Sequence, residues 1–95
     1  MTKSALQSAQ RTLATEIEGL QSLSAALGDS FEHAVSVLAE ISGRVIVSGM
    51  GKSGHVGAKI AATLASTGTP AQFVHPGEAS HGDLGMITRA DAVLT

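Results

Sequence analysis

Two short stretches of this sequence carry the side chains most able to do chemistry, and the first is a glycine-rich turn. Lys52 stands in that turn, which directly follows the apolar run Val45–Val47. The main-chain N–H groups of such a turn, the ammonium of Lys52 and the hydroxyl of Ser53 suit a phosphate group or sugar hydroxyls. An ammonium in a partly dry site can also stabilise a developing oxyanion or transfer a proton. The turn therefore predicts a phosphate-handling site at the end of a strand; the plain alternative is a turn that only connects strand to helix.

The second stretch is a loop whose side chains can bind a metal or transfer protons: His75, Glu78, His81 and Asp83. Histidine ligates zinc and serves as an acid or base near neutral pH. Two histidines six positions apart in a loop do not match a known zinc spacing. Hydrogen bonding to sugar hydroxyls therefore stands as an interpretation beside metal binding and proton transfer. Glu78 and Asp83 are predicted to cap a short helical turn rather than to catalyse.

The glycine-rich turn also fits the dinucleotide-binding pattern G-x-G-x-x-G, with Gly49, Gly51 and Gly54 in the glycine positions. That class of site needs an acidic residue at the end of the second strand, where this chain reads F-V-H-P. The nucleotide P-loop would need glycine in place of Ile46. Both nucleotide-binding classes are therefore disfavoured.

Hydrophobic spacing predicts the elements that must position these residues. The predicted helices cover 4–27, 29–43 and 56–67, and the predicted strands cover 45–47, 71–75 and 91–95. Asp29 and Glu32 have the spacing of a capping box at the start of the second helix. The leucine seam of the first helix is predicted to pack on its own domain, with contact to a second copy as the alternative. Alternating strands and helices predict an α/β fold with a parallel sheet over 44–95, preceded by a helical segment over 1–43.

The amino-acid composition limits which classes of partner this chain can bind. Among its 95 residues 2% are aromatic and the net charge is -2, which gives no case for nucleic acid or an anionic membrane surface. There is no cysteine, so disulfides and thiolate metal sites are excluded. The pattern of a signal peptide and an apolar run of membrane-spanning length are both missing. We therefore expect a cytoplasmic protein.

Taken together, the two stretches resemble the arabinose-5-phosphate isomerase family, whose members are sugar-phosphate isomerases with a SIS domain. The resemblance covers about residues 44 to 95 and is carried by V-I-V-S-G-M-G-K-S-G-H and F-V-H-P-G-E-A-S-H-G-D-L-G. It implies a flavodoxin-like, three-layer fold. It also implies interconversion of D-ribulose 5-phosphate and D-arabinose 5-phosphate through an enediol(ate). That reaction is the entry to 3-deoxy-octulosonate synthesis for the lipopolysaccharide of Gram-negative cells.

The resemblance also assigns roles to single residues. Lys52 would be catalytic, while Gly68, Thr69, His75 and His81 would contact the substrate, together with the Ser53 hydroxyl already noted. His75 would be the position that binds Zn²⁺, as an inhibitor rather than a required cofactor. All of these residues are expected at the carboxyl edge of the sheet, with Lys52, His75 and His81 around one shared cavity.

Length is where this chain departs from the family. Family members continue through further strands, a serine-rich phosphate loop, catalytic carboxylates, another histidine and CBS domains. We therefore expect this chain to be the first half of a SIS domain, with at most three strands, and to be poorly folded and inactive by itself. The full-length protein is expected to be a homotetramer. The alternative function is a SIS module that binds a phosphorylated sugar without catalysis.

Overall fold

The computed structural model describes residues 2–95, apart from the side chains of Thr2, Lys3 and Asp83. The chain divides into two compact units, Met1–His33 and Ala34–Thr95. This division falls within the second helix, whereas the sequence placed a boundary between residues 43 and 44.

The first unit is helical. Helix α1 spans Thr2–Ala26, and helix α2, which starts in this unit, spans Asp29–Glu40. The main-chain N–H of Glu32 donates to the carbonyl of Gly28 at 3.1 Å. The predicted capping box is therefore wrong, because it assigned that N–H to the Asp29 side chain, and Asp29 already lies inside the first turn. The apolar seam of α1 is exposed and consists of Leu6, Leu13, Ile17, Leu20 and Leu23, and Leu27 just after the helix is exposed too. None of the helices in the described residues 2–95 has the length and apolar character needed to cross a membrane.

The second unit is built on a parallel sheet of three short strands. They are β1 (Val45–Val47), β2 (Ala71–Phe73) and β3 (Ala92–Leu94), in the order β2-β1-β3. Both edge strands pair with β1 in parallel. All three residues of β1 are buried, as expected for a central strand covered on both faces. The α/β class and the number of strands predicted from the sequence are confirmed.

Helix α3 (Gly51–Ser66) connects β1 to β2 and covers one face of the sheet. Its Ala61 packs with Val45 and Val47 in the buried core. The close approach depends on Gly57, because a Cβ atom there would lie 3.1 Å from a methyl group of Val47. The sequence predicted that this helix begins at residue 56, but it begins at Gly51. Only residues 48–50 separate the helix from β1, and the φ angle of +58° at Gly51, which glycine adopts readily, lets the helix begin there.

The opposite face of the sheet is covered by the segment that connects β2 to β3. This segment contains helix α4 (Pro76–Ser80) and a short 3-10 helix (Asp83–Met86). Ile46 points to this face, since side chains alternate along a strand. An apolar cavity of about 270 Å³ separates it from Ala79, Leu84 and neighbouring residues. Helix, sheet and helical segment thus form three layers.

Asp91 fastens the start of β3 to the start of β1. One carboxylate oxygen accepts the main-chain N–H of Arg44 at 2.7 Å, and the other accepts the main-chain N–H of Thr88 at 2.8 Å. The hydrogen bond from Arg44, followed by the one from Thr88, lowers the pKa of Asp91 below its ordinary value of 3.8. Beside it, the Gly43 N–H donates to the carbonyl of Ala90 at 2.8 Å. The clamp joins segments that are 47 residues apart in sequence.

We expect Asp91→Asn to lower the stability of the second unit, because an amide cannot accept at both of its heavy atoms. A carboxylate with a lowered pKa in the folded state stabilises the fold above its unfolded pKa, and this contribution is lost as the pH falls through the folded value. The wild-type protein should therefore lose this contribution only below pH 3.8. Chemical denaturation between neutral pH and pH 3 would measure it. Glu40→Gln, at an exposed acid of α2, is the control, and equal stability of both variants would contradict the clamp.

Candidate functional site

The carboxyl ends of the three strands form the edge of the sheet where a ligand is expected. The chain leaves β1 through α3 to reach β2 on one side, then returns behind the sheet to β3 on the other side. The order of strands therefore reverses between β1 and β3. In open parallel sheets, ligands bind in the crevice outside the carboxyl ends of the strands at such a switch point.

A cavity of about 410 Å³ lies at this switch point, and we call it the switch cavity. It is lined by Val47, Ser48, Lys52, Ser53, Val56, Gly57, Ile60, Leu94 and Thr95. Ser48 fixes its floor, because its N–H donates to the carbonyl of Leu94 at 3.0 Å and its hydroxyl donates to the carbonyl of Val74 at 2.6 Å. Ser48 thus joins the ends of all three strands. The predicted pair Lys52 and Ser53 is brought together on the wall of this cavity.

The start of α3 offers main-chain donors beside the same two side chains. The N-cap residue Met50 is extended and makes no side-chain capping hydrogen bond. The N–H of Gly54 donates to the carbonyl of Met50 at 3.3 Å, so the N–H groups of Gly51, Lys52 and Ser53 precede the hydrogen-bonded ladder of the helix. Such open N–H groups and the positive end of the helix dipole attract an anion. Lys52 adds a full charge at the same point.

A second cavity, of about 330 Å³, lies along the other flank of α3, and we call it the histidine cavity. Its lining residues are Gly49, Gly51, Gly54, His55, Ala58, Phe73 and His75. His75 is the N-cap of α4, and its ring nitrogen Nδ1 accepts the N–H of Gly77 at 3.0 Å. The sequence analysis gave no role to His55. The early start of α3 would have revealed it, because on a helix that begins at Gly51 residue 55 lies one turn on, on the same face as Gly51.

The single cavity predicted for Lys52, His75 and His81 does not form among the described residues. The first turns of α3 stand between the switch cavity and the histidine cavity, because Ser53 and Val56 line the first, whereas Gly54 and Ala58 line the second. His81 ends α4, where its N–H donates to the carbonyl of Glu78 at 3.0 Å, and within residues 2–95 it lines neither cavity. The side chain of Asp83 lies outside the described residues.

Gly68 and Thr69 lie at the other edge of the sheet, so their predicted place at the carboxyl edge is wrong. They follow the end of α3, which runs about 24 Å from its first to its last residue at 1.5 Å per residue. The next residue, Pro70, accepts the N–H of Val45 at the amino end of β1. Thr69 lines a separate cavity with Val35, Leu38, Ala39, Val45 and Leu64. The reason is topological: a helix between two parallel strands runs back across the sheet, and its two ends lie at opposite edges.

The donor groups around His75 do not fit a metal centre. Among the side chains that the structure describes, no three from histidine, cysteine, aspartate and glutamate come together to hold an ion. Nδ1 of His75 is already occupied by the Gly77 N–H. The predicted Zn²⁺ position at His75 therefore has one free ring nitrogen and belongs to no group of three such side chains among the described residues.

Comparisons with known proteins agree on one family. Residues 38–95 match the SIS domain. The chain is 63% identical over 89 residues to the arabinose 5-phosphate isomerase KdsD of Pseudomonas aeruginosa, covering 94% of this chain and 27% of that protein. It is 53% identical over 94 residues to the arabinose 5-phosphate isomerase GutQ of Escherichia coli K12, covering 99% of this chain and 29% of that protein. The solved structure of E. coli CFT073 c3406 in complex with A5P superposes with a TM-score of 0.88 at 36% identity, covering 98% of this chain and 50% of that one.

Proposed function

This chain belongs to the SIS-domain family, and on that premise we propose that it forms part of an enzyme that interconverts D-ribulose 5-phosphate and D-arabinose 5-phosphate. The family resemblance stated from the sequence is confirmed. The chain spans 27% to 29% of the length of the curated relatives named above. The activity, substrate and partners of the whole protein are therefore proposals, which the names of these relatives support.

The observation that carries the proposal is the switch cavity. It combines the ammonium of Lys52, the hydroxyl of Ser53 and the open N–H groups of α3. These groups suit a ligand with a phosphate and several hydroxyls, and they lie where a parallel sheet binds ligands. Apart from Ser48 and Thr95, the rest of the lining that the structure describes has no polar side chain, and apolar surroundings strengthen electrostatic interactions with a bound ligand.

The chemistry requires a proton to move between two adjacent carbons while the carbonyl changes place. Removing the proton creates an enediolate, whose oxygen carries the developing charge. We assign Lys52 to stabilise that oxygen, as preorganised cations do in such reactions. The proposed substrate contacts are Gly68, Thr69, His75 and His81. These residues lie outside the switch cavity, so a substrate bound there can contact them only if further segments or a second copy of the protein complete the site. The acid–base group for the carbons is expected outside these 95 residues.

The remaining proposals concern the setting of the reaction. We propose that the enzyme works in the cytoplasm as a homotetramer, needs no cofactor, and serves synthesis of lipopolysaccharide sugars. The exposed seam of α1 is compatible with a contact between subunits.

Purified complete protein should convert D-ribulose 5-phosphate to D-arabinose 5-phosphate, and the reverse reaction should reach the same equilibrium mixture. In deuterated water the product should carry deuterium at the carbon that exchanges its proton through the enediol. Proton NMR measures both results, with glucose 6-phosphate as a control substrate. Binding of pentose phosphate without turnover would instead favour the non-catalytic module, and no binding at all would contradict both functions.

A further inference from the structure

The imidazole of His75 is held by the sequence that follows it. His75 is the N-cap of α4, and Pro76 occupies the first helical position. Proline has no main-chain N–H, so the N–H of Gly77 is the first donor of this helix that needs a partner. It donates to Nδ1 of His75 at 3.0 Å. A histidine ring thus fills the place that serine or aspartate usually takes at a helix start.

The small size of Gly77 makes room for this arrangement. A Cβ atom at position 77 would lie 3.1 Å from Nδ1 and 3.4 Å from Cε1 of the His75 ring. The φ angle of Gly77 is not among the positive values, so its backbone conformation is open to other residues. What glycine provides at this position is space against the ring.

The hydrogen bond decides which ring nitrogen carries the proton. A main-chain N–H can only donate, so Nδ1 must be unprotonated, and the neutral ring has its proton on Nε2. Histidines that ligate metals use the opposite arrangement, in which the nitrogen that is not on the metal donates its N–H to an acceptor. A metal on Nε2 of His75 would move the proton to Nδ1, where it would face the N–H of Gly77.

We propose that the main-chain N–H of Gly77 sets the tautomer of His75, so that the ring offers Nε2–H as a hydrogen-bond donor in the histidine cavity and does not ligate zinc. Gly77 is a positioning residue, because it acts only through His75. The ligand atom that fits this donor is a hydroxyl, carbonyl or phosphate oxygen. Only the identification of that oxygen as part of a sugar phosphate rests on the proposed function.

The test is nitrogen NMR of the complete protein labelled with ¹⁵N-histidine. His75→Asn identifies the His75 signals by their loss, while asparagine can still cap α4. At a pH where the rings are neutral, His75 should show an unprotonated Nδ1 and a protonated Nε2 with no sign of the other tautomer. His33, exposed on α2, should show averaged signals of two exchanging tautomers. A protonated Nδ1 at His75, or averaged signals like those of His33, would overturn the proposal.

Two alanine variants and zinc separate the role of Gly77 from a general effect on the fold. Gly77→Ala pushes a methyl group against the ring and should move the His75 signals toward those of His33. Gly85→Ala has no atom within 4 Å of its new Cβ and should leave them unchanged. Unchanged signals in Gly77→Ala would remove Gly77 from its role. Equimolar Zn²⁺ should leave the Nε2–H of wild-type His75 in place, and its stoichiometric loss would show that His75 is a ligand after all.

These measurements do not depend on turnover. A protein with the expected tautomer but no isomerase activity would contradict the proposed function alone. An active isomerase whose His75 carries its proton on Nδ1 would contradict only the proposal about the tautomer.

Discussion

Replacing Lys52 with alanine is expected to lower turnover of pentose phosphate in the complete enzyme by about 100- to 1,000-fold, the loss typical for removal of one group that stabilises an oxyanion. Lys52 lies on the wall of the switch cavity in the first turn of α3, beside N–H groups that are free for a ligand. Its side chain is exposed, so the variant should keep its fold. Steady-state kinetics would measure the turnover, and circular dichroism would measure whether the fold is kept.

Lys59→Ala is the matched control, since Lys59 is an exposed lysine two turns further along the same helix and lines neither cavity among the described residues. It should retain turnover within about twofold, as expected for a surface substitution away from the site. Lys52→Arg then distinguishes two roles. Arginine stays protonated in proteins, so it preserves a charge but cannot exchange a proton. Partial activity in Lys52→Arg would favour charge stabilisation, and unchanged turnover in Lys52→Ala would remove Lys52 from the mechanism.

Gly54→Ala is expected to lower the free energy of unfolding by about 1–3 kcal/mol, the usual cost of forcing extra atoms into a packed interior. The new Cβ would lie 2.7 Å from the carbonyl oxygen of Gly49 and 3.6 Å from the Phe73 ring. The nearest obstacle is main chain, so no side chain can rotate away to relieve the contact. In the complete protein, each 1 kcal/mol at the midpoint corresponds to a fall in Tm of about 2–8 °C, with the smaller values for the larger domains.

Gly19→Ala provides a control of opposite sign. Gly19 lies within α1, and no atom is within 4 Å of its added Cβ. Alanine is favoured over glycine inside a helix by about 0.5–1 kcal/mol, so this variant should gain helical stability. Thermal denaturation followed by circular dichroism compares the two variants. A Tm for Gly54→Ala equal to that of the wild type would mean that the Gly49 carbonyl can move aside.

The sequence predicted those features correctly that depend on a short run of neighbouring residues. The β-branched run Val45–Val47 is central and buried, and the strand-turn-helix order around it is correct. The start of α3 was missed because glycine and serine next to Lys52 have the composition of a turn. The connection from β1 consists of residues 48–50 only, and the positive φ of Gly51 lets α3 begin at that residue.

Contacts between distant segments could not be predicted in the same way. The clamp between Asp91 and Arg44 depends on which strands become neighbours, and short local patterns do not contain that information. Gly68 and Thr69 were placed at the wrong edge because a family role was transferred without following the direction of α3. The capping role of His75 was missed although the signal is local. The sequence H-P-G contains it, but histidine is an unusual capping residue.

The comparisons show that the chain belongs to the SIS family; a cavity shared by Lys52 and His75 is not part of that evidence. Lys52 and His75 open onto separate cavities on the two flanks of one helix. A substrate that reaches both must therefore bind over the first turn of α3, or the rest of the assembled enzyme must close the gap. The kinetic effects of Lys52→Ala and His75→Asn, measured alone and together, would show whether the two residues act on one bound molecule.

The central position of β1 has a consequence for how this segment emerges from the ribosome. β1 is translated first, and β2 and β3 are then added on its two free sides. Each later strand therefore meets a partner that already exists, and no earlier pairing has to be undone to admit it. Because chains begin to fold during synthesis from the N-terminal side, this strand order allows the sheet to grow outward in step with translation.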